Sequence, residues 1–234
     1  MADKKQVEAG SDAAVVAKAK DFWTKYNKQI MIACTVIIIA VGGWYIYQNF
    51  FKNPKEAKAA EAMYKAEEYY RMDSVNLALN GDGQHPGFLR IISQYGGTKQ
   101  AKLANFYAGS CYIKLNDNEK ALTHLKKAST NSKPLQARTY KLMGDAAGDL
   151  GKNSDALDYY KKAASHFEND QASSAEALFM AAYFADRVIK NTKEAIDLYT
   201  ELKQKFPEAR VGGERGADLA DKYLAQLSVY STKD

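Results

Sequence analysis

GSCYIKLNDNEKALTHLKKA (residues 109–128) and GDAAGDLGKNSDALDYYKKA (residues 144–163) are two copies of one pattern. Gly109, Tyr112, Ala121, Leu125 and Ala128 align with Gly144, Ala147, Ala156, Tyr160 and Ala163, every pair at an offset of 35 residues. Each copy opens on a small residue, passes a polar turn (KLNDNEK, DLGKNSD) and continues as Ala, bulky, Ala. This spacing predicts pairs of antiparallel helices. Gly109 and Ala121 leave room for the two helices to cross closely, and the bulky side chains fill the space between neighbouring pairs.

Working outward, a third unit places Ala195, Tyr199 and Pro207 as the first places Ala121, Leu125 and, one residue late, Pro134. The turn IKNTKE sits at the matching place. These positions resemble the tetratricopeptide repeat, with a small residue at the helix crossing and a proline that ends the second helix. Residues 56–98 read as an irregular first unit. Its GDGQHPG segment forms an unusual loop between helices, and its second helix runs from about Pro86 to Tyr95. The stretch VGGERGADLADKYLAQLSVY reads as a capping helix with Leu219, Leu224 and Leu227 inward, the solubilising end that a stack of repeats requires. Strand signals are nearly absent. The fold class is therefore all-α: a transmembrane helix, then a tetratricopeptide-repeat α-solenoid.

The transmembrane expectation rests on residues 30–51, IMIACTVIIIAVGGWYIYQNFF, 22 residues without a charge. As an α-helix they would span roughly 33 Å, about one hydrocarbon core. The run is too long for a signal-peptide core and closes on Trp44, Tyr45 and Tyr47, with Phe22, Trp23 and Tyr26 on the other side. Two such aromatic belts suit the two headgroup levels of an uncleaved anchor. A lipoprotein reading at Cys34 fails because the apolar run follows the cysteine. Gly42 and Gly43 allow another helix to approach, or are simply the glycines common in membrane helices. The expected division is a tail over residues 1–29, a span over 30–51 and a repeat domain over 52–234. Within the tail, residues 1–20 read as mobile from their Lys-, Ala- and Asp-rich composition. Residues 52–73 read as a helix carrying on after a break at Pro54. Lysines on both flanks of the span only weakly favour an inside N-terminus.

The net charge is +5, of which residues 1–58 hold +4, so the remainder is nearly neutral with both signs interspersed. That distribution argues for contact with anionic membrane lipid at the flanks and against nucleic-acid binding. Cys34 and Cys111 stand in different regions and are not expected to pair. His85, His124 and His166 lack metal-ligand spacing, and no nucleophile elbow, phosphate loop or dinucleotide fingerprint occurs. Gly81-Asp82-Gly83 reads as a turn, since it lacks the alternating carboxylates of a calcium loop. No catalytic residue, metal or cofactor is expected, and the chain reads as a non-enzyme.

The repeat resemblance implies a groove lined by the first helix of each pair. Carried onto this sequence it gives Leu103, Phe106, Ser110, Ile113 and Lys114, then Arg138, Lys141, Asp145 and Asp149, then, in a register open by one residue, Met180, Phe184 and Arg187. Leu103, Phe106, Ile113, Met180, Phe184 and Arg187 are the expected partner-binding set, although Phe106 and Phe184 equally suit packing between repeats. The segment AKDFWTKYNKQIMIACTVIIIAVGGWYIYQNFF, with its Phe22-Trp23 pair, Asn27-Lys28 step and Gly43-Trp44, resembles the YfgM-like ancillary subunits of the Sec translocon. That resemblance implies a single-pass protein of the inner (cytoplasmic) membrane, with a cytoplasmic N-terminus and periplasmic repeats. It also implies three partners: the SecYEG translocon, a PpiD-like membrane-anchored prolyl-isomerase chaperone, and newly exported polypeptides. The alternative is an envelope-assembly scaffold serving outer-membrane or cell-wall machinery. A cytoplasm-facing adaptor would need the opposite topology.

Overall fold

The computed structural model describes the backbone of residues 3–231 and the side chains of residues 15–227. The chain divides after Pro54 into two compact units.

The first unit is helical. α1 (Asp3–Ile46) is followed by a π-helical turn, Tyr47–Lys52, and α2 (Asn53–Arg71) begins beyond it. Residues 3–20 are therefore helical rather than irregular; Ala and Lys, which dominate them, are strong helix formers. Pro54 belongs to α2. It occupies the first turn of α2, where its missing N–H costs nothing, and the Asn53 N–H reaches back five residues to the Gln48 carbonyl. Between Met31 and Phe51 every large apolar side chain is exposed, from 53% at Ile46 to 71% at Phe50. A helix this long and apolar with none of its apolar window buried is fit to cross a membrane. Phe22, Trp23, Trp44, Tyr45 and Tyr47 are exposed and Tyr26 half-buried, its ring 5.0 Å from that of Phe22. Thr35 turns its hydroxyl back onto the Met31 carbonyl at 2.8 Å, so it adds no unpaired donor to the apolar stretch.

The second unit stacks helix pairs: α2 with α3 (Val75–Asn80) and α4 (Phe88–Gln94), α5 (Lys99–Lys114) with α6 (Asn118–Lys127), α7 (Lys133–Asp149) with α8 (Asn153–His166), and α9 (Gln171–Phe184) with α10 (Thr192–Lys205). A π-turn, Ala185–Ile189, prolongs α9. A two-residue hairpin, β1 (Arg210–Val211) with β2 (Glu214–Arg215), precedes the last helix, α11 (Gly216–Ser231). That hairpin departs from the expected continuous cap. Gly212 and Gly213 both have positive φ, the geometry of a two-residue turn between paired strands. Leu219 and Leu227 of α11 are buried and Leu224 is half-buried.

One device sets the register of every pair. Asp73, Asn116, Gly151 and Lys190 adopt left-handed φ values of 56 to 71°, each five residues before a fully buried alanine: Ala78, Ala121, Ala156 and Ala195. The following amide bonds back across the turn, Ser74 to Tyr69, Asp117 to Tyr112, Lys152 to Ala147 and Asn191 to Ala185, all at 2.9 Å. This is the Schellman closure of a helix C-terminus. Asp117 and Asn191 then cap the next helix by accepting from Lys120 N and Glu194 N, both at 3.2 Å.

Helix crossing is as close as the small residues suggest. A Cβ on Gly109 would stand 2.6 Å from Leu125 Cγ, and one on Gly144 would stand 2.7 Å from the Tyr160 ring. Pro134, by contrast, sits in the first turn of α7 rather than closing α6. The first unit also differs from expectation. Its turn is at Asp73, and GDGQHPG instead interrupts its second helix, between α3 and α4. Gly81 must be glycine there, because its φ is +85° and a Cβ would meet the His85 carbonyl at 2.2 Å.

Candidate partner-binding face

The first helices of the pairs, α2, α5, α7 and α9, present the residues expected to line the inner surface of the stack. On α5 that surface is closed by the chain itself. Ser110 is buried and shares a 2.8 Å hydrogen bond with the Tyr70 hydroxyl of α2. Lys114 pairs with Asp73 and lies 5.0 Å from the Tyr70 ring centre. Phe106 is only 4% exposed, packed edge-on to Tyr107 at 5.5 Å, with the Arg138 guanidinium 5.9 Å above its ring. Phe106 is thus a packing residue between repeats, not a groove residue. Leu103 and Ile113 are half-buried against the same core.

Along α7 the face turns polar. Arg138 is exposed, and Lys141 lies 3.2 Å from Asp145 and 4.0 Å from Glu176 of α9. Asp145 also accepts from the Tyr160 hydroxyl at 3.0 Å, and Asp149 accepts from Asn118 at 3.2 Å. Leu135, Arg138, Lys141, Leu142, Phe167 and Glu176 line a cleft of about 640 Å³ between the N-terminal halves of α7 and α9. Its walls carry opposite charges over an apolar floor, a composition that suits a peptide better than a small uniform ligand.

On α9 the expected residues are displaced by one. In the α5 and α7 pairs, Gly109 and Gly144 precede their crossing alanines by twelve residues, as Ala66 precedes Ala78. Counting twelve back from Ala195 lands on Tyr183, which is too large for a helix crossing. The buried small residue is Ala182. The extra residue is absorbed by the π-turn, where Asn191 bonds six residues back instead of five. Met180 and Phe179 are both half-buried against the core, and the register places Phe179 where the repeat pattern expects a groove residue. Phe184 packs inward, 5.7 Å from the Tyr160 ring and close above Gly148. In this register Glu176, Phe179 and Tyr183 take the groove positions, together with Arg187, which was already among the expected residues. Tyr183 is 39% exposed and meets Phe179 at 5.9 Å and Tyr223 of α11 at 6.1 Å, an aromatic patch at the C-terminal end of the face. Arg187 reaches Asp186 at 2.8 Å and Gln226 at 3.0 Å. The sequence did hold the signal for this shift: a tyrosine stands where the pattern demands a small residue, beside an alanine.

Burial is the first cause of the shifted tyrosine and cysteine groups in the core of the unit. Burial, then the Asp145 carboxylate, pushes the Tyr160 phenol up, and burial, then Asp186, does the same to Tyr199. Burial pushes the Cys111 thiol up to about 12, which keeps it protonated and inert. His85 is held by Asp82, His124 by Asn105, and His166 lies against Tyr140, each on a separate element. Among the described residues no cluster could hold a metal ion.

Residues 20–138 match the family described as a tetratricopeptide repeat-like domain, and residues 176–209 match a tetratricopeptide repeat. None of the curated proteins matches the chain. The first match spans just over half of the sequence and takes in the apolar run, α2 and the α5–α6 pair. Repeats of this kind are interaction modules, and no enzymatic family is indicated. The chain belongs to the tetratricopeptide repeat-like domain family.

Proposed function

We propose that this protein is a non-enzymatic, single-pass membrane scaffold that receives newly exported chains, or the chaperone that handles them, at the Sec translocon. The observation that carries the proposal is the joining of two parts in one chain: an apolar helix of bilayer length and a repeat stack whose inner face offers charged and aromatic side chains without a catalytic set. The resemblance of the anchor region to YfgM-like subunits supplies the translocon, the PpiD-like partner and the periplasmic placement. The partner contacts fall on Arg138, Lys141, Glu176, Phe179, Tyr183 and Arg187.

A photo-crosslinking residue at Lys141 or Tyr183 of the full chain, activated in intact membranes, tests this directly. Adducts with SecY, a membrane-anchored prolyl isomerase or nascent exported chains support the reading. Adducts with outer-membrane or cell-wall assembly proteins would replace it with the envelope-scaffold alternative. A phosphatase fused to the C-terminus, active only when exported, checks the topology in the same strain.

A further inference from the structure

The GDGQHPG insertion is the one motif that partner binding by the inner face leaves unexplained. It interrupts the second helix of the first repeat, between α3 and α4, and its fold is strongly determined. Asp82 accepts from the Gln84 and His85 amides at 2.9 and 2.6 Å, from the Tyr69 hydroxyl at 2.7 Å, and faces His85 Nδ1 at 2.9 Å. Gly81 and Pro86 bridge across its base. The loop and α4 face α2 across a cleft of about 730 Å³.

The charges around that cleft are unequal. Lys58 and Lys65 of α2, His85 of the loop and Arg90 of α4 line it, against the single carboxylate of Glu61. Lys65 is committed to Glu68 at 2.8 Å, and His85 is oriented by Asp82 through Nδ1, which leaves Nε2 free. The side chains of Lys58 and Arg90 are exposed and have no ion-pair or hydrogen-bond partner among the described residues. Two unsatisfied cations on opposite walls of a concave site are the chemistry of an anion-binding pocket. Tyr64 stands at its rim, 68% exposed, an aromatic of the type enriched at membrane interfaces. Lys58 follows the last residue of the apolar run by seven positions in the chain. The repeat that carries the pocket is therefore the one joined directly to that run.

We infer that the cleft between α2 and the Gly81–Gly87 loop binds the phosphate of an anionic phospholipid headgroup, through Lys58 and Arg90. It would give the first repeat a specific lipid contact, beyond the general attraction of the flanking lysines.

The test uses the full chain in lipid nanodiscs, either phosphatidylcholine alone or with phosphatidylglycerol, and follows amide hydrogen exchange. Slower exchange over residues 82–90 in the anionic discs, lost in Lys58→Gln/Arg90→Gln, is the expected result. Lys52→Gln, which alters flanking charge outside the cleft, should retain it. Equal exchange in both discs would overturn the inference. So would protection that survives the cleft variant but is lost in the flank variant. Inorganic phosphate added to the uncharged discs separates the sources: protection by phosphate alone would reassign the pocket to a soluble anion and overturn the lipid. An unchanged melting midpoint in the cleft variant shows that the loop still folds.

Discussion

Gly144 and Gly148 lie one turn apart on α7, and replacing each with alanine should have opposite effects. In a helix interior the exchange by itself gains about 1 kcal/mol, because alanine loses less backbone entropy than glycine. At Gly144 the new Cβ would stand 2.7 Å from Cδ1 and Cε1 of Tyr160, about 1 Å inside ordinary carbon contact. Tyr160 is 3% exposed, its hydroxyl bonded to Asp145 at 3.0 Å and its ring set against Phe184 at 5.7 Å, so it has nowhere to turn. Overpacking of that kind costs about 1–3 kcal/mol, and forcing the ring aside also threatens a hydrogen bond worth about 1 kcal/mol. The sum is a net destabilisation of about 1–3 kcal/mol. At Gly148 the nearest atom is the Phe184 ring edge at 3.2 Å, and that side chain is only half-buried. A shift of a few tenths of an ångström suffices there, so Gly148→Ala should be neutral or stabilising by up to about 1 kcal/mol. Urea unfolding of the full chain in detergent, followed by circular dichroism at constant m, reads the difference as a change in midpoint. If both variants shift it equally, or if Gly144→Ala stabilises, the spacing of α7 and α8 is not set by direct contact of this glycine with Tyr160.

Tyr160→Phe should cost about 1 kcal/mol by leaving Asp145 Oδ1 without its tyrosine donor, whereas Tyr199→Phe should be neutral or stabilising, because the buried Tyr199 hydroxyl has no hydrogen-bond partner among the described residues; thermal melts of the two variants check the contrast. In a Cys34→Ala background, maleimide should label Cys111 only after urea unfolds the protein, since burial pushes that thiol up to about 12; labelling at the same rate in buffer and in urea would show an open core. His124 is held below its ordinary value by burial first and Lys127 second, so the unfolded chain takes up the proton more readily than the folded one. Stability should be full above about pH 6.5 and decline as pH falls below it, with the decline smaller in His124→Gln.

How far the sequence reveals the structure depends on where a residue was added to the pattern. The α5–α6 and α7–α8 pairs keep the twelve-residue step from Gly109 to Ala121 and from Gly144 to Ala156, and both helices and their crossing glycines were readable. The first unit keeps the same step, from Ala66 to Ala78, but its turn is hard to see. Asp73 holds a left-handed φ of 56° in a stretch with no glycine, while the nearby GDGQHPG attracts the turn assignment. In the third unit the left-handed residue is Lys190, whose side chain gives no hint of that conformation. The π-turn before it, Ala185–Ile189, carries no signature of its own, and only Tyr183, standing where the pattern demands a small residue, betrays the added position. For the candidate face this single addition is decisive: a one-residue shift turns a helix by about 100°, which exchanges Met180 and Phe184 for Phe179 and Tyr183.

The same geometry explains why the inner face is polar over α7 and aromatic at α9. Bulky residues at the close crossings need small neighbours, so Gly144, Ala147 and Ala156 leave Tyr160 to reach through to Asp145 with its hydroxyl. That buried donor holds the carboxylate, and the carboxylate in turn holds Lys141, which spans to Glu176 on the next helix. Charge on this face is therefore ordered from beneath by the core rather than scattered over it. At α9 the crossing residues are alanines, Ala182 and Ala185, and Tyr199 stacks on Tyr223 at 5.0 Å instead of reaching a carboxylate. Phe179 and Tyr183 are then left to cover the top of that stack, half in water. A partner that neutralises ordered charge at α7 and buries aromatic surface at α9 would gain specificity from the first contact and affinity from the second. The partner contacts proposed at Arg138, Lys141, Phe179 and Tyr183 rest on this ordering of charge and aromatic surface within the repeat stack.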